Sequence, residues 1–305
     1  MFAPPPEIEA QVFVRVPEML RRIEITDWLR DYQRGVGRGS FLEGPSFDLN
    51  GNLYLVDVAH GRVFRLSPEA EFAVVADYEG QPNGLKIHKD GRIFIADHAL
   101  GIVELDPVSG KVSPYVPADR LPDFKGCNDL FFASNGDLYF TDQGQTGLHD
   151  PTGRLYRLCA DGRLDCLLDN IPSPNGLVMT PDETVLYLAV TRANAVWRVP
   201  FQLDGSVVKV GIFIQFTGGV GGPDGMAMDA AGNLVVAQVG SGSAWQFSPL
   251  GEPLARIRAP DGLLLTNMAY GGAENRTLYM TESETGTVLT STLERPGQPM
   301  FSHLG

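Results

Sequence analysis

Basic residues, cysteines, long apolar runs and helical periodicity are all scarce in this chain, and each scarcity removes a class of function. Twenty-four Lys and Arg stand against 37 Asp and Glu, a formal net charge of −13. Such a surface repels phosphate backbones and anionic lipids, so neither nucleic acid nor a membrane surface is an expected partner. The three cysteines, Cys127, Cys159 and Cys166, are odd in number and lack CxxC spacing. That argues against a disulfide framework and against a structural zinc site. Cys159 and Cys166 flank a hairpin turn, which offers a pair facing each other across it; the simpler expectation is two buried thiols in a reducing cytoplasm. No apolar run approaches the roughly 18 residues needed to span a bilayer. Residues 1–10 are Pro- and Glu-rich, without the basic and apolar regions of a secretory signal, so a cytoplasmic location is expected. Familiar catalytic templates are missing too: there is no Gly-x-Ser-x-Gly elbow and no His-Glu-x-x-His. The glycine-rich run 218–222 lacks the Lys-Ser/Thr of a phosphate loop and reads as a turn.

What is present is strand. Only the segment 17–32 is a candidate helix, with a poor pattern. Elsewhere short β-branched and aromatic runs, such as residues 52–56, 92–96, 137–141 and 233–237, are divided by Asp-Gly, Asn-Gly and Pro-containing turns. These runs recur in a fixed phrase with a small polar head, a short apolar strand, a tight turn and a strongly apolar strand. Six copies are found, headed by Glu43, Asn83, Asn128, Asn175, Asp224 and Asn267, at separations of 40, 45, 47, 49 and 43 residues. A period in the forties with several strands per repeat is the mark of a propeller with four-stranded blades. A β-sandwich would give turns at similar density but no recurring polar head. The expected fold is therefore all-β, a six-bladed β-propeller. It is expected to form one domain over 1–305, with 1–40 as arm and closing strand and 41–300 as blades. The alternating stretch 11–16 is expected to pair with the last blade, closing the ring so that no sheet edge is left bare.

The innermost strand of each blade lines the central channel, so the six heads should form a ring there. Each could simply satisfy turn geometry beside a glycine, but six carboxylates and amides in register also make an oxygen-only cage. Such a cage suits a hard divalent cation, Ca²⁺ first, with Mg²⁺ or Mn²⁺ as alternatives. Zn²⁺ ranks lower because it prefers nitrogen and sulfur. His60 and His98 each follow an apolar strand where loops reach the channel mouth; either is a substrate contact or a plain surface-loop histidine. Trp197 and Trp245 are expected to pack between blades.

At these heads the chain resembles the SMP-30/gluconolactonase/luciferin-regenerating-enzyme family. The matching stretches are Glu43-Gly-Pro-Ser-Phe-Asp, Cys127-Asn-Asp, Ser173-Pro-Asn-Gly-Leu, Gly222-Pro-Asp-Gly-Met-Ala, Thr266-Asn-Met-Ala-Tyr-Gly-Gly and Leu278-Tyr-Met-Thr-Glu-Ser, in order over roughly residues 40–300. The resemblance implies a propeller with one catalytic divalent cation held by Glu43, Asn128, Asn175 and Asp224. Its implied activity is opening of a small lactone, with Asp224 as base or nucleophile and a small-molecule lactone as substrate. It leaves Asn83 and Asn267 as substrate contacts; the residues themselves add Lys125 and His98 as further candidates, and Asp129 as either a residue that orients Asn128 or a plain turn or strand-edge Asp. Two departures matter. Sugar-lactonase members often carry Arg two residues before the third head, where this chain has Gly126. The stretch Gly126-Cys-Asn-Asp is closer to diisopropylfluorophosphatase, a related calcium propeller. Ala227 and Ala269 stand where that enzyme's second calcium would need ligands, so a single metal is expected, and an aldonolactone is disfavoured. Phosphotriester or organofluorophosphate hydrolysis, or a non-catalytic metal-stabilised binding propeller, are the rival readings.

Overall fold

A computed structural model describes residues 3–304. The repeated phrase folds as six antiparallel meanders arranged as a six-bladed propeller. Their innermost strands are Leu42–Phe47, Pro82–Ile87, Cys127–Phe132, Pro174–Met179, Gly222–Met228 and Leu265–Gly271. The second strands, such as Leu53–Asp57 and Val185–Val190, are buried along their whole length between neighbouring blades. This explains their unbroken apolar sequences where half-exposed strands would alternate.

The ring closes as expected. Gln11–Arg15 runs antiparallel to Thr287–Thr292, with Gln11 opposite Thr290 and Arg15 opposite Thr287, so blade six mixes both ends of the chain. The blades are not uniformly four-stranded, however. Glu7–Glu9 adds a fifth, parallel strand to the edge of blade five, Glu7 lying opposite Arg256. The Glu7 carboxylate lies 3.2 Å from one Arg256 nitrogen and 3.6 Å from Arg258. One segment thereby ties two blades together.

The candidate helix shrinks to Asp27–Tyr32, with Thr26 accepting a hydrogen bond from the Leu29 N–H at 3.3 Å. Met19 and Ile23 are almost fully exposed, so residues 17–25 have no buried stripe to stabilise a longer helix. The cysteine expectation also needs correction. Tyr156, not Cys159, lies opposite Cys166. Cys166 is exposed and Cys159 half-buried, while Cys127 alone is fully buried.

Packing is between blades. Tyr54, Val56, Leu85 and Ile95 belong to one cluster shared by blades one and two. Trp197 joins a cluster of blades three and four, and Trp245 one of blades four and five. Hydroxyl groups stitch the inner strands: Thr141 Oγ1 donates to Asn175 O (3.0 Å), Thr191 Oγ1 to Pro223 O (2.8 Å) and Thr266 Oγ1 to Leu42 O (2.9 Å). The C-terminal residues lie across the end of the channel away from the heads. There Phe301 stacks on Phe132 at 5.2 Å and Gln298 N–H donates to Met228 O. No helix among the described residues is long and apolar enough to cross a membrane.

Candidate functional site

Every inner strand breaks register at its head. The shifts fall between Glu43 and Ser46, Pro82 and Leu85, Cys127 and Leu130, Pro174 and Leu177, Pro223 and Met226, and Leu265 and Met268. The heads are thus β-bulge residues at strand starts, which is how a strand re-aims one side chain. Four of them are followed by glycine because the next blade leaves no room for more. A Cβ on Gly176 would lie 2.5 Å from Asp224 O, and one on Gly225 would lie 2.1 Å from the Asn267 amide carbon.

A second repeated device fixes the loops. Blades one, two, three and six end their second strand in a buried carboxylate that accepts backbone N–H groups just before the head of the same blade. Asp57 accepts from Phe41 at 2.8 Å, Asp97 from Gln81 at 3.0 Å, Asp142 from Gly126 at 2.6 Å and Glu282 from Leu264 at 3.2 Å. The sequence carries this signal in the closing acid of Leu-Tyr-Leu-Val-Asp57 and its counterparts.

The ring itself brings Glu43, Asn128, Asn175, Asp224 and Asn267 together, all at most 7% exposed, with Asn83 half-buried beside them. Asn267 Nδ2 donates to Glu43 Oε2 at 2.9 Å and to Asp129 Oδ2 at 3.2 Å, and the Gly44 N–H donates to Glu43 Oε2 at 2.8 Å. Asn128 Nδ2 donates to Gln143 Oε1 at 2.9 Å, and Gln143 Nε2 donates in turn to Ser173 Oγ at 3.0 Å. This chain turns the Asn128 NH₂ away and leaves its carbonyl oxygen as the uncommitted group. Asp129 takes the place that glycine holds in blades one, two, four and five. It adds a third carboxylate, and the Lys86 ammonium lies 3.9 Å from it.

These carboxyls are held towards their protonated forms. Burial, and then the Asp129 charge, push Glu43 up to about 8. Burial, and then the charges of Glu43 and Asp129, raise Asp224 well above the carboxylate range; an Asn175 hydrogen bond and Arg192 oppose this. Burial also raises Asp129 against Lys86. Buried acids that repel one another are costly to ionise without a cation among them. Among the described residues no three of His, Cys, Asp and Glu converge closely enough to hold an ion by themselves, so a cage here must draw on the amides. Oxygen-only donors with surplus negative charge fit a hard divalent cation.

The remaining sequence candidates separate. His98 is buried at the mouth, its Nε2 2.6 Å from Tyr32 OH. His60 is buried under the N-terminal arm, its Nε2 3.0 Å from Arg38 O. Lys125 is exposed, and Asp142 accepts its backbone N–H. Several groups escaped the sequence reading, Gln143 among them. Lys86 had a usable signal, as a charged residue in an otherwise apolar inner strand. Arg192 and Tyr32 had none.

Fold and ring together define a six-bladed propeller with a polar, oxygen-lined channel end. The chain belongs to the SMP-30/Gluconolactonase/LRE-like family, whose sequence model matches residues 41–284. It is 32% identical over 255 residues to lactonase drp35 of Staphylococcus aureus (strain USA300), covering 79% of this chain and 75% of that one. It is 31% identical over 272 residues to a gluconolactonase of Zymomonas mobilis, covering 79% and 76%. A regucalcin described as calcium-binding, from Agrobacterium tumefaciens, shares the fold with a TM-score of 0.79 at 22% identity, over 98% of this chain and 99% of that one.

Proposed function

We propose that this chain is a metal-dependent hydrolase that opens a small sugar-derived or related lactone. The observation that carries the reading is the buried ring of carboxylates and amides, in a chain whose relatives include proteins named lactonase and gluconolactonase. Glu43, Asn128, Asn175 and Asp224 would hold one divalent cation, Ca²⁺ ahead of Mg²⁺, Mn²⁺ or Zn²⁺. When bound, that cation supplies Lewis acidity to the lactone carbonyl and neutralises the ring's charge. Asp224 takes a proton from the attacking water at its carboxylate, or attacks the carbonyl itself. Glu43 is held in place by Asn267 and the Gly44 N–H, and Asn128 by Gln143. Both ends of the Asn267 amide are committed, since its Oδ1 accepts from Met268 N–H at 2.8 Å; it positions Glu43. Asn83 and His98 face the substrate, and the exposed Lys125 side chain reaches for an anionic substituent. The reading takes the chain as one propeller unit acting in the cytoplasm on a small molecule, and the net charge of −13 supports the exclusion of nucleic acid and membrane surfaces.

The test is acidification by a lactone panel, using protein stripped by chelator and then given Ca²⁺, Mg²⁺, Mn²⁺ or Zn²⁺. Turnover restored by a metal and abolished in Asp224→Ala is the expected result. Tight stoichiometric metal binding with no turnover would sink it. A phosphotriester arm belongs in the panel, because Gly126 leaves the third head without the arginine of sugar lactonases.

A further inference from the structure

The N-terminal segment does more than close the ring: it sends one side chain to the channel mouth. Helix Asp27–Tyr32 is pinned on blade one by Thr26 Oγ1 donating to Ala59 O at 2.8 Å, and by Trp28 packed against Phe41 with ring centroids 4.8 Å apart. At its end Tyr32 stacks on Trp28 at 5.8 Å and meets His98 edge-on at 4.8 Å. Its hydroxyl is 2.6 Å from His98 Nε2. The His98 ring occupies the space over Gly126, two residues before Asn128. A Cβ there would lie 2.4 Å from His98 Cε1, and Gly126 has φ +138°.

The geometry points to Tyr32 and His98 as a specificity-determining pair that seats an apolar, alkyl substituent of the lactone beside the ring and turns away a polyhydroxylated one. This inference rests on the lactonase reading above. Three observations support it. The Tyr32 hydroxyl and His98 Nε2 are spent on each other and the imidazole also bonds the Cys127 backbone, so the wall offers little to a sugar hydroxyl, and an unpartnered hydroxyl pressed against it loses its water. Burial lowers the His98 pKa to about 4, so the imidazole is neutral at neutral pH. Gly126 projects no side chain, and none fits unless the imidazole leaves. The half-buried Asn83 amide is left for the lactone's own oxygens, so the substituent is what the wall reads.

The test compares a pentyl-substituted δ-lactone with glucono-δ-lactone on metal-loaded wild type, Tyr32→Ala and Tyr32→Phe. Wild type should favour the pentyl lactone in kcat/KM by about ten-fold or more. Tyr32→Ala should lose about ten-fold on that substrate, chiefly through KM, while changing gluconolactone by less than about two-fold. Tyr32→Phe keeps the ring but frees His98 Nε2, so it should narrow the preference by improving gluconolactone; it also keeps the test readable if the alanine variant misfolds. A preference for gluconolactone in wild type, or an unchanged ratio in both variants, overturns the inference. If no lactone is turned over, the functional reading fails separately. Binding of the corresponding non-hydrolysable lactams, followed by saturation-transfer NMR, still decides: pentyl selectivity lost in Tyr32→Ala sustains the wall, and equal binding overturns it.

Discussion

Asn267, the head of the sixth inner strand, donates a 2.9 Å hydrogen bond to Glu43, the head of the first, across 224 residues of chain. The same amide nitrogen reaches Asp129 of blade three, so one side chain joins the carboxylates of two blades over the channel.

Asn267→Ala removes this link and leaves Glu43 free to rotate. Outer partners of ligating carboxylates are generally worth about 10–100-fold in metal affinity. We expect a fall of that order in Ca²⁺ affinity by calorimetry; an unchanged affinity would show that Asn267 does not set the position of Glu43.

Metal removal should make stability fall with rising pH. The ordinary Glu43 value of 4.5 is pushed to about 8 in the folded ring. Between those values the folded state holds more protons than the unfolded chain, so its stability is full below about pH 4.5 and is lost as pH rises towards 8. Asp224 shifts in the same direction. Denaturant midpoints of chelator-stripped protein should therefore drop across that window, and added Ca²⁺ should flatten the curve. A stripped protein that gains stability from pH 5 to 8 would contradict the buried, mutually repelling acids.

Gly126→Ala strains a positive φ and drives a methyl group into His98. We expect a loss of about 1–3 kcal/mol in reversible unfolding, and release of the imidazole from Tyr32. A His98 NMR signal unchanged from wild type would mean that the backbone yields instead.

Asp57→Ala should be among the most damaging substitutions outside the ring. Asp57 and Arg62 are both buried, with Oδ2 2.5 Å from one guanidinium nitrogen and 3.1 Å from Nε. The change leaves Arg62 charged without its partner and the Phe41 N–H unsatisfied, at a cost of about 3–5 kcal/mol. A change below 1 kcal/mol, measured by denaturant unfolding, would mean that water replaces the carboxylate.

Much of the fold was legible because a propeller repeats. The period that places Glu43, Asn83, Asn128, Asn175, Asp224 and Asn267 also counts the blades, and the alternation of residues 11–16 announces the closing strand. The fifth strand on blade five was not legible. Glu7–Glu9 is polar and short, and nothing local distinguishes it from a tail until Arg256 and Arg258 are seen beside it. The candidate helix was read too long for a related reason: spacing alone does not say whether Met19 and Ile23 meet a neighbour.

The sequence by itself determined the propeller and the oxygen chemistry of its channel end, because each depends on residue types repeated at equivalent blade positions. Tertiary structure decided which side chains share that end. The reach of Asn267 to Glu43 and Asp129, the Lys86 ammonium beside Asp129, and the Tyr32–His98 contact over Gly126 all arise where blades or arm meet. Contacts between segments far apart in the chain depend on the packing of every blade between them, and no local pattern of residues encodes that distance.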